Sequence, residues 1–220
     1  KKFIDLRPLI KLDSMKATMK TLSAILICCF ISTIQMYGEN IQRPESENYV
    51  KGVEALNEGN PEAAYTYLNA EINEHPDNGY AHCYMALICN FCNDTKLALQ
   101  ALNSSLELIP EADTEYRSFA HYSRGVLLTN LKMWERAEAD LNEAIRLNPE
   151  DVENYKSRAQ LYFETERYEE SLNDLTRALK LDSKADVNDL VLQLMAVAPT
   201  SEFMERITAT YQQLDQVTIH

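Results

Sequence analysis

His82, Cys83, Cys89 and Cys92 crowd into eleven residues and invite a metal or redox reading. Cys89 and Cys92 have the two-residue gap of a zinc or dithiol motif, but structural zinc takes four ligands and no second such pair follows. A redox pair needs a thiol of depressed pKa, usually beside a strand–helix–strand pattern, and none is present. Two states remain open for these thiols. One is burial as small apolar side chains, and the other is a Cys89–Cys92 disulfide in an oxidising compartment. His75 precedes a proline and His121 stands beside Tyr122, and neither has the serine-and-acid or cysteine companions of a nucleophilic triad. The five glycines, Gly38, Gly52, Gly59, Gly79 and Gly125, are scattered and form no phosphate-cradling loop. No catalytic residue, cofactor or metal is expected, and the chemistry left to this chain is recognition.

The elements that would position recognising side chains are set by a repeat. Pro76, Pro110 and Pro149, with Ser183 in the fourth slot, are spaced by 34, 39 and 34 residues. The same three intervals separate Gly52, Ala86, Gly125 and Ala159, then Ala64, Ala98, Ala137 and Ser171, then Leu68, Leu102, Leu141 and Leu175. All ladders place a five-residue insertion between Pro110 and Gly125. Small residues facing each other let two antiparallel helices approach to about 8–10 Å. The leucines fill the space between layers, and each proline stops a second helix. The spacing predicts helix pairs at 45–58 and 61–74, 78–91 and 94–108, 113–131 and 134–147, and 151–165 and 168–181.

A 34-residue helix–turn–helix period resembles the tetratricopeptide repeat family. Trp134, Ala137, Leu141, Ala144 and Pro149 carry the clearest copy, and Tyr155, Ala159, Tyr162, Tyr168, Ser171, Leu175 and Ala178 the next. Glu71 and Ser105 depart from the pattern where a small alanine is usual, and Ser183 departs from it in the proline slot. The resemblance implies an all-α fold, an α-solenoid of antiparallel hairpins winding as a right-handed superhelix. It implies four hairpins within 39–183, at about 45–77, 78–111, 113–150 and 151–184. Residues 185–220 are expected as a degenerate fifth hairpin or a cap, broken at Pro199.

The resemblance also implies a concave face lined by the first helix of each hairpin. Aligned on the ladders, that face holds Tyr49, Val53, Tyr80, Leu87, Phe119, Tyr122, Val126, Lys156, Gln160 and Phe163. A subclass of the family clamps a peptide's terminal carboxylate with lysine and asparagine. The matching positions here are Tyr49, Cys83, Tyr122 and Lys156, so that clamp is absent. An apolar, aromatic groove is expected instead, holding an extended or helical protein segment. The opposing expectation is that some of these rings are core between layers, or are covered by the chain's own N-terminal segment.

Six of the 21 basic residues and two of the 34 acidic ones lie in residues 1–38, leaving 15 bases and 32 acids, a net of −17, in the remainder. Such a body repels a phosphate backbone, so nucleic acid is excluded as a partner. The basic residues Lys16 and Lys20, the apolar run Leu22 to Met36 and the small Gly38 describe an export signal, with cleavage after Gly38. The run is shorter than the roughly 20 apolar residues that span a bilayer, so no span is expected once it is removed. The expected location is periplasmic or secreted; the alternative is an uncleaved N-terminal anchor. The function expected is a non-enzymatic protein-binding scaffold. The alternative is the repeat arm of a larger enzyme or transporter complex.

Overall fold

The computed structural model describes residues 41–198 and 200–217, with side chains through Thr210. The expected export signal and Pro199 lie outside the described residues. Ten helices follow in order: α1 (Glu47–Asn57), α2 (Pro61–Glu74), α3 (Gly79–Phe91), α4 (Thr95–Leu108), α5 (Thr114–Asn130), α6 (Trp134–Leu147), α7 (Val152–Glu164), α8 (Tyr168–Leu181), α9 (Asn188–Val197) and α10 (Ser201–Val217). No strand occurs among the described residues. The first eight helices end within two residues of the limits predicted from the spacing.

Each hairpin turns by the same local device. Gly59, Asn93, Lys132 and Glu166 adopt left-handed backbone, with φ of 70°, 59°, 57° and 61°. They recur at the intervals 34, 39 and 34, as the other ladders do. The next amide reaches back across the turn each time: Asn60 N to Ala55 O at 2.8 Å, Asp94 N to Cys89 O at 2.9 Å, Met133 N to Leu128 O at 2.9 Å and Arg167 N to Tyr162 O at 2.7 Å. This satisfies carbonyls that a helix end would otherwise leave unpaired. Several helices start on side-chain caps. Asn60, Asn78 and Asp94 each accept the amide three residues on, and Asp151 accepts the amide of Glu153.

The chain divides into two compact units, one through Tyr116 and one from Arg117, the cut falling near the start of α5. In the first unit α1 packs on α2 and α3 on α4, and α2 also meets α3. Gly52 permits the first of these contacts, because a Cβ there would lie 2.7 Å from Leu68 Cγ. Leu68, Ala64, Ala98 and Leu102 are buried, which is the burial their columns predict.

In the second unit Gly125 repeats the close approach, its absent Cβ falling 2.7 Å from Leu141 Cγ. A bidentate ion pair ties the two helices of each hairpin. Arg124 Nε and Nη2 donate to Asp140 at 2.7 and 2.8 Å, and Arg158 Nε and Nη2 donate to Asp174, both at 2.8 Å. Helices α9 and α10 close this unit. Val187, Leu190, Val191, Leu194, Phe203 and Ile207 bury against Ala159, Leu172 and Leu175 of the preceding hairpin.

Candidate functional site

The residues expected to line one groove divide between the two units, and their environments differ. In the first unit Tyr49 on α1 and Tyr80 on α3 are only 7% and 5% exposed. Both belong to a packed aromatic cluster. Tyr80 meets Tyr116 edge to face at 4.8 Å between centroids, Tyr49 lies 6.1 Å from Tyr84, and the Tyr84 and Tyr116 hydroxyls are 3.0 Å apart. Burial holds the phenols of Tyr49, Tyr80 and Tyr84 far above their ordinary range. Tyr49 and Tyr80 therefore act as core here, not as groove anchors, because they pack within a cluster of rings from three helices. Val53 and Leu87 are half-buried beside them.

Arg43 comes from the segment before α1. Its Nε donates to Asp113 Oδ2 at 3.1 Å, and its Nη2 donates to Asp113 Oδ1 at 3.2 Å and to Glu115 Oε2 at 2.9 Å. The guanidinium carbon sits 4.6 Å from the centre of the Tyr116 ring. Tyr80 donates its hydroxyl to Asp113 at 2.9 Å. Burial alone would lower the Arg43 pKa, but the hydrogen bonds to Asp113 and Glu115 outweigh it and hold the group above its ordinary value.

In the second unit the expected residues remain partly exposed. Phe119 and Tyr122 on α5 stack at 6.4 Å with 23° between their planes. Burial pushes the Tyr122 phenol up to about 12, and the nearby carboxylates of Glu153 and Asp151 add to this while a hydrogen bond from Ser157 opposes it. Tyr122 thus leans on the start of α7, and Val126 lies one turn further along α5, also half-buried. On α7, Lys156 Nζ donates to Glu153 Oε1 at 2.8 Å and Gln160 Nε2 to Glu164 Oε1 at 2.9 Å. Phe163 faces the Tyr168 ring at 5.7 Å and packs on the apolar cluster of α9 and α10.

Lys156 and Gln160 also line a shallow cleft of about 180 Å³ with Asp186, Asp189, Leu190 and Gln193. Asp186 and these α9 residues lie beyond the last clear repeat, where no ladder could align them. Their only signal in the sequence is an acidic start to an apolar helix.

The remaining chemistry is occupied by structure. His121 Nδ1 is 2.9 Å from Asp140 Oδ1, inside the Arg124 ion pair. Cys83, Cys89 and Cys92 are free thiols, so Cys89 and Cys92 are not joined. Burial raises Cys83 and Cys89 to about 12 and raises Cys92 as well, which leaves them protonated near neutrality. Among the described residues no group of three or more His, Cys, Asp or Glu is placed to hold a metal ion.

The tetratricopeptide repeat family profile matches residues 118–151, and a second tetratricopeptide profile matches 153–184. Residues 118–184 thus carry two tetratricopeptide repeats. The chain is 24% identical over 143 residues to human tetratricopeptide repeat protein 6, an alignment covering 65% of this chain and 26% of that protein. It thus spans about a quarter of that relative's length. Among solved structures it resembles MamA of Desulfovibrio magneticus RS-1, with a TM-score of 0.63 and 19% identity over 79% of this chain and 96% of the other. It also resembles pilF of Pseudomonas aeruginosa, with a TM-score of 0.62 and 19% identity over 77% and 74% of the two chains. These likenesses establish the fold, an all-α solenoid of helical hairpins. Tetratricopeptide repeats are a protein-interaction fold. Among the described residues no helix is long and apolar enough to cross a membrane.

Proposed function

We propose that the chain is a non-catalytic scaffold, exported from the cytoplasm, that holds an extended or helical protein segment on the α5 and α7 faces of its second unit. The stacked, partly exposed pair Phe119 and Tyr122 carries this reading. Aromatic anchors of this kind give most binding energy per residue, and few conformational degrees of freedom are lost when they are engaged. Val126 and Phe163 extend the apolar surface, and Gln160 and Lys156 supply a polar rim. Export rests on the basic-then-apolar order of Lys16, Lys20 and Leu22 to Met36.

The test is to pan a random peptide library on the full chain and re-measure the selected peptides on variants. Tyr122→Ala is expected to weaken binding by about 2 kcal/mol or more. Lys156→Ala is expected to do less and mostly to slow association, because its ammonium is already paired with Glu153. A folded Tyr122→Ala variant that binds like wild type would place the partner on another face. Loss of helix content in that variant would make the ring core. For export, N-terminal sequencing of protein from the expressing cell should begin near Glu39, and an intact N-terminus in the cytoplasmic fraction would refute it.

A further inference from the structure

The repeat register slips by five residues between Pro110 and Gly125, and the structure spends the extra residues on one feature. Helix α5 is 17 residues long, against 11, 13 and 13 for α1, α3 and α7, the other first helices of the hairpins. Its added N-terminal turn follows a tight bend in which the Asp113 amide donates to Pro110 O at 3.0 Å. The bend delivers Asp113 into the aromatic cluster at 1% exposure. A carboxylate so buried must be compensated by donors and charge. Tyr80 Oη and the Tyr116 amide supply two donors, at 2.9 and 3.3 Å. The remainder comes from Arg43.

Every receptor group in this contact sits on α3, on α5 or in the bend before α5. The guest sits outside any helix, 70 residues earlier in the chain. The receptor offers a carboxylate that takes a two-pronged fork, a second carboxylate on the same nitrogen and an aromatic face beneath the plane. That combination matches the planar, five-donor guanidinium and would serve an ammonium poorly.

We propose that Asp113, Glu115, Tyr80 and Tyr116 form an arginine-recognition site, which Arg43 fills in cis and which an arginine of a partner's extended segment takes over. The partner half of this statement rests on the protein-scaffold reading. The net charge of −17 beyond residue 38 favours a basic segment over an acidic one. A tethered guest occupies its site at high effective concentration, so any external arginine must first displace it. Removing the Arg43 guanidinium should therefore strengthen external binding by the factor of that competition, about tenfold or more.

The probe is a capped hexapeptide copying residues 41–46, titrated by NMR into the full chain. A matched peptide carries citrulline, which keeps the shape and loses the charge. Arg43→Ala is expected to bind the arginine peptide at least about tenfold more tightly than wild type, with shifts at the Asp113 and Tyr116 amides. The citrulline peptide should bind at least about tenfold more weakly than the arginine peptide. Adding Asp113→Asn should abolish the difference between the two peptides. Equal binding of the peptides overturns the proposal, as does an Arg43→Ala variant of unchanged helix content that binds no better than wild type. If Arg43→Ala loses helix content, Arg43→Lys keeps the stem and the charge without the fork. The arginine peptide must then bind that variant more tightly than wild type, or the proposal fails. Tyr122→Ala should leave every one of these affinities unchanged, so failure of the α5–α7 surface and failure of this site are separable.

Discussion

Gly125→Ala is the substitution whose sign the structure decides. In an exposed helix it would stabilise by about 0.5–1 kcal/mol, since glycine loses more backbone freedom than alanine on folding. Here the new Cβ would fall 2.7 Å from Leu141 Cγ, 3.0 Å from its Cδ2 and 3.3 Å from its backbone nitrogen. Carbon atoms pack best at about 3.5–4.0 Å, and the fully buried Leu141 has no open side to move toward. Relief requires α5 and α6 to separate or Leu141 to leave its rotamer, an overpacking cost of about 1–3 kcal/mol. The alanines in the same column, Ala86 and Ala159, show that a hairpin can be built around a methyl group, which places the cost low in that range. The net expectation is a loss of about 1 kcal/mol in stability. A double-mutant cycle isolates the cause. Leu141→Ala alone should cost about 2–5 kcal/mol, but in its background Gly125→Ala should turn stabilising by about 0.5–1 kcal/mol. The assay is urea unfolding followed by far-ultraviolet circular dichroism, with an unchanged slope required of each variant. If Gly125→Ala has the same effect in both backgrounds, close helix approach is not the reason for this glycine.

The ion pairs and the turns carry further expected outcomes. Asp140→Ala should cost about 2–3 kcal/mol by leaving Arg124 and His121 without their shared carboxylate, toward the low side for a buried pair because Arg124 is partly solvated. Burial would raise the Asp140 pKa, but the hydrogen bonds from Arg124 and His121 outweigh it, so the folded value lies below the unfolded one. Its contribution is therefore present above the unfolded carboxylate value of about 3.9 and lost as pH falls through the depressed folded value, so the stability gap between wild type and Asp140→Asn should narrow in that acid window. Lys132→Gly and Glu166→Gly should each be neutral or raise stability by up to about 1 kcal/mol in urea unfolding, because both residues hold left-handed backbone that costs a side-chain-bearing residue about 1–2 kcal/mol. A clear loss in either would mean that the lysine or glutamate side chain contributes more than its backbone strain removes.

The helices were legible because their cause is local and repeats. Small residues, leucines and prolines at fixed intervals dictate where two helices can meet and where the second must stop. The left-handed turn column was visible only in part, since Asn93, Lys132 and Glu166 share a conformation but no side-chain chemistry, and Gly59 alone announces it. The candidate surface was legible as a set of positions and not as a set of exposures. Tyr49 and Tyr122 occupy equivalent places on equivalent helices, yet Tyr49 is core and Tyr122 is partly open.

What separates those two tyrosines is the company each keeps: Tyr49 packs with Tyr84 and Tyr116, rings from two other helices, whereas Tyr122 stacks on Phe119 of its own helix. The sequence alone determined the repeat, the helix limits, the position of the insertion and the acidic balance, because each depends on neighbours within a turn or on simple counting. Only the tertiary structure decided which rings are covered, which cations are already paired and what the five extra residues build. Those outcomes depend on side chains brought together from distant segments, and burial of a polar group is settled by the partners it finds rather than by its place in a period.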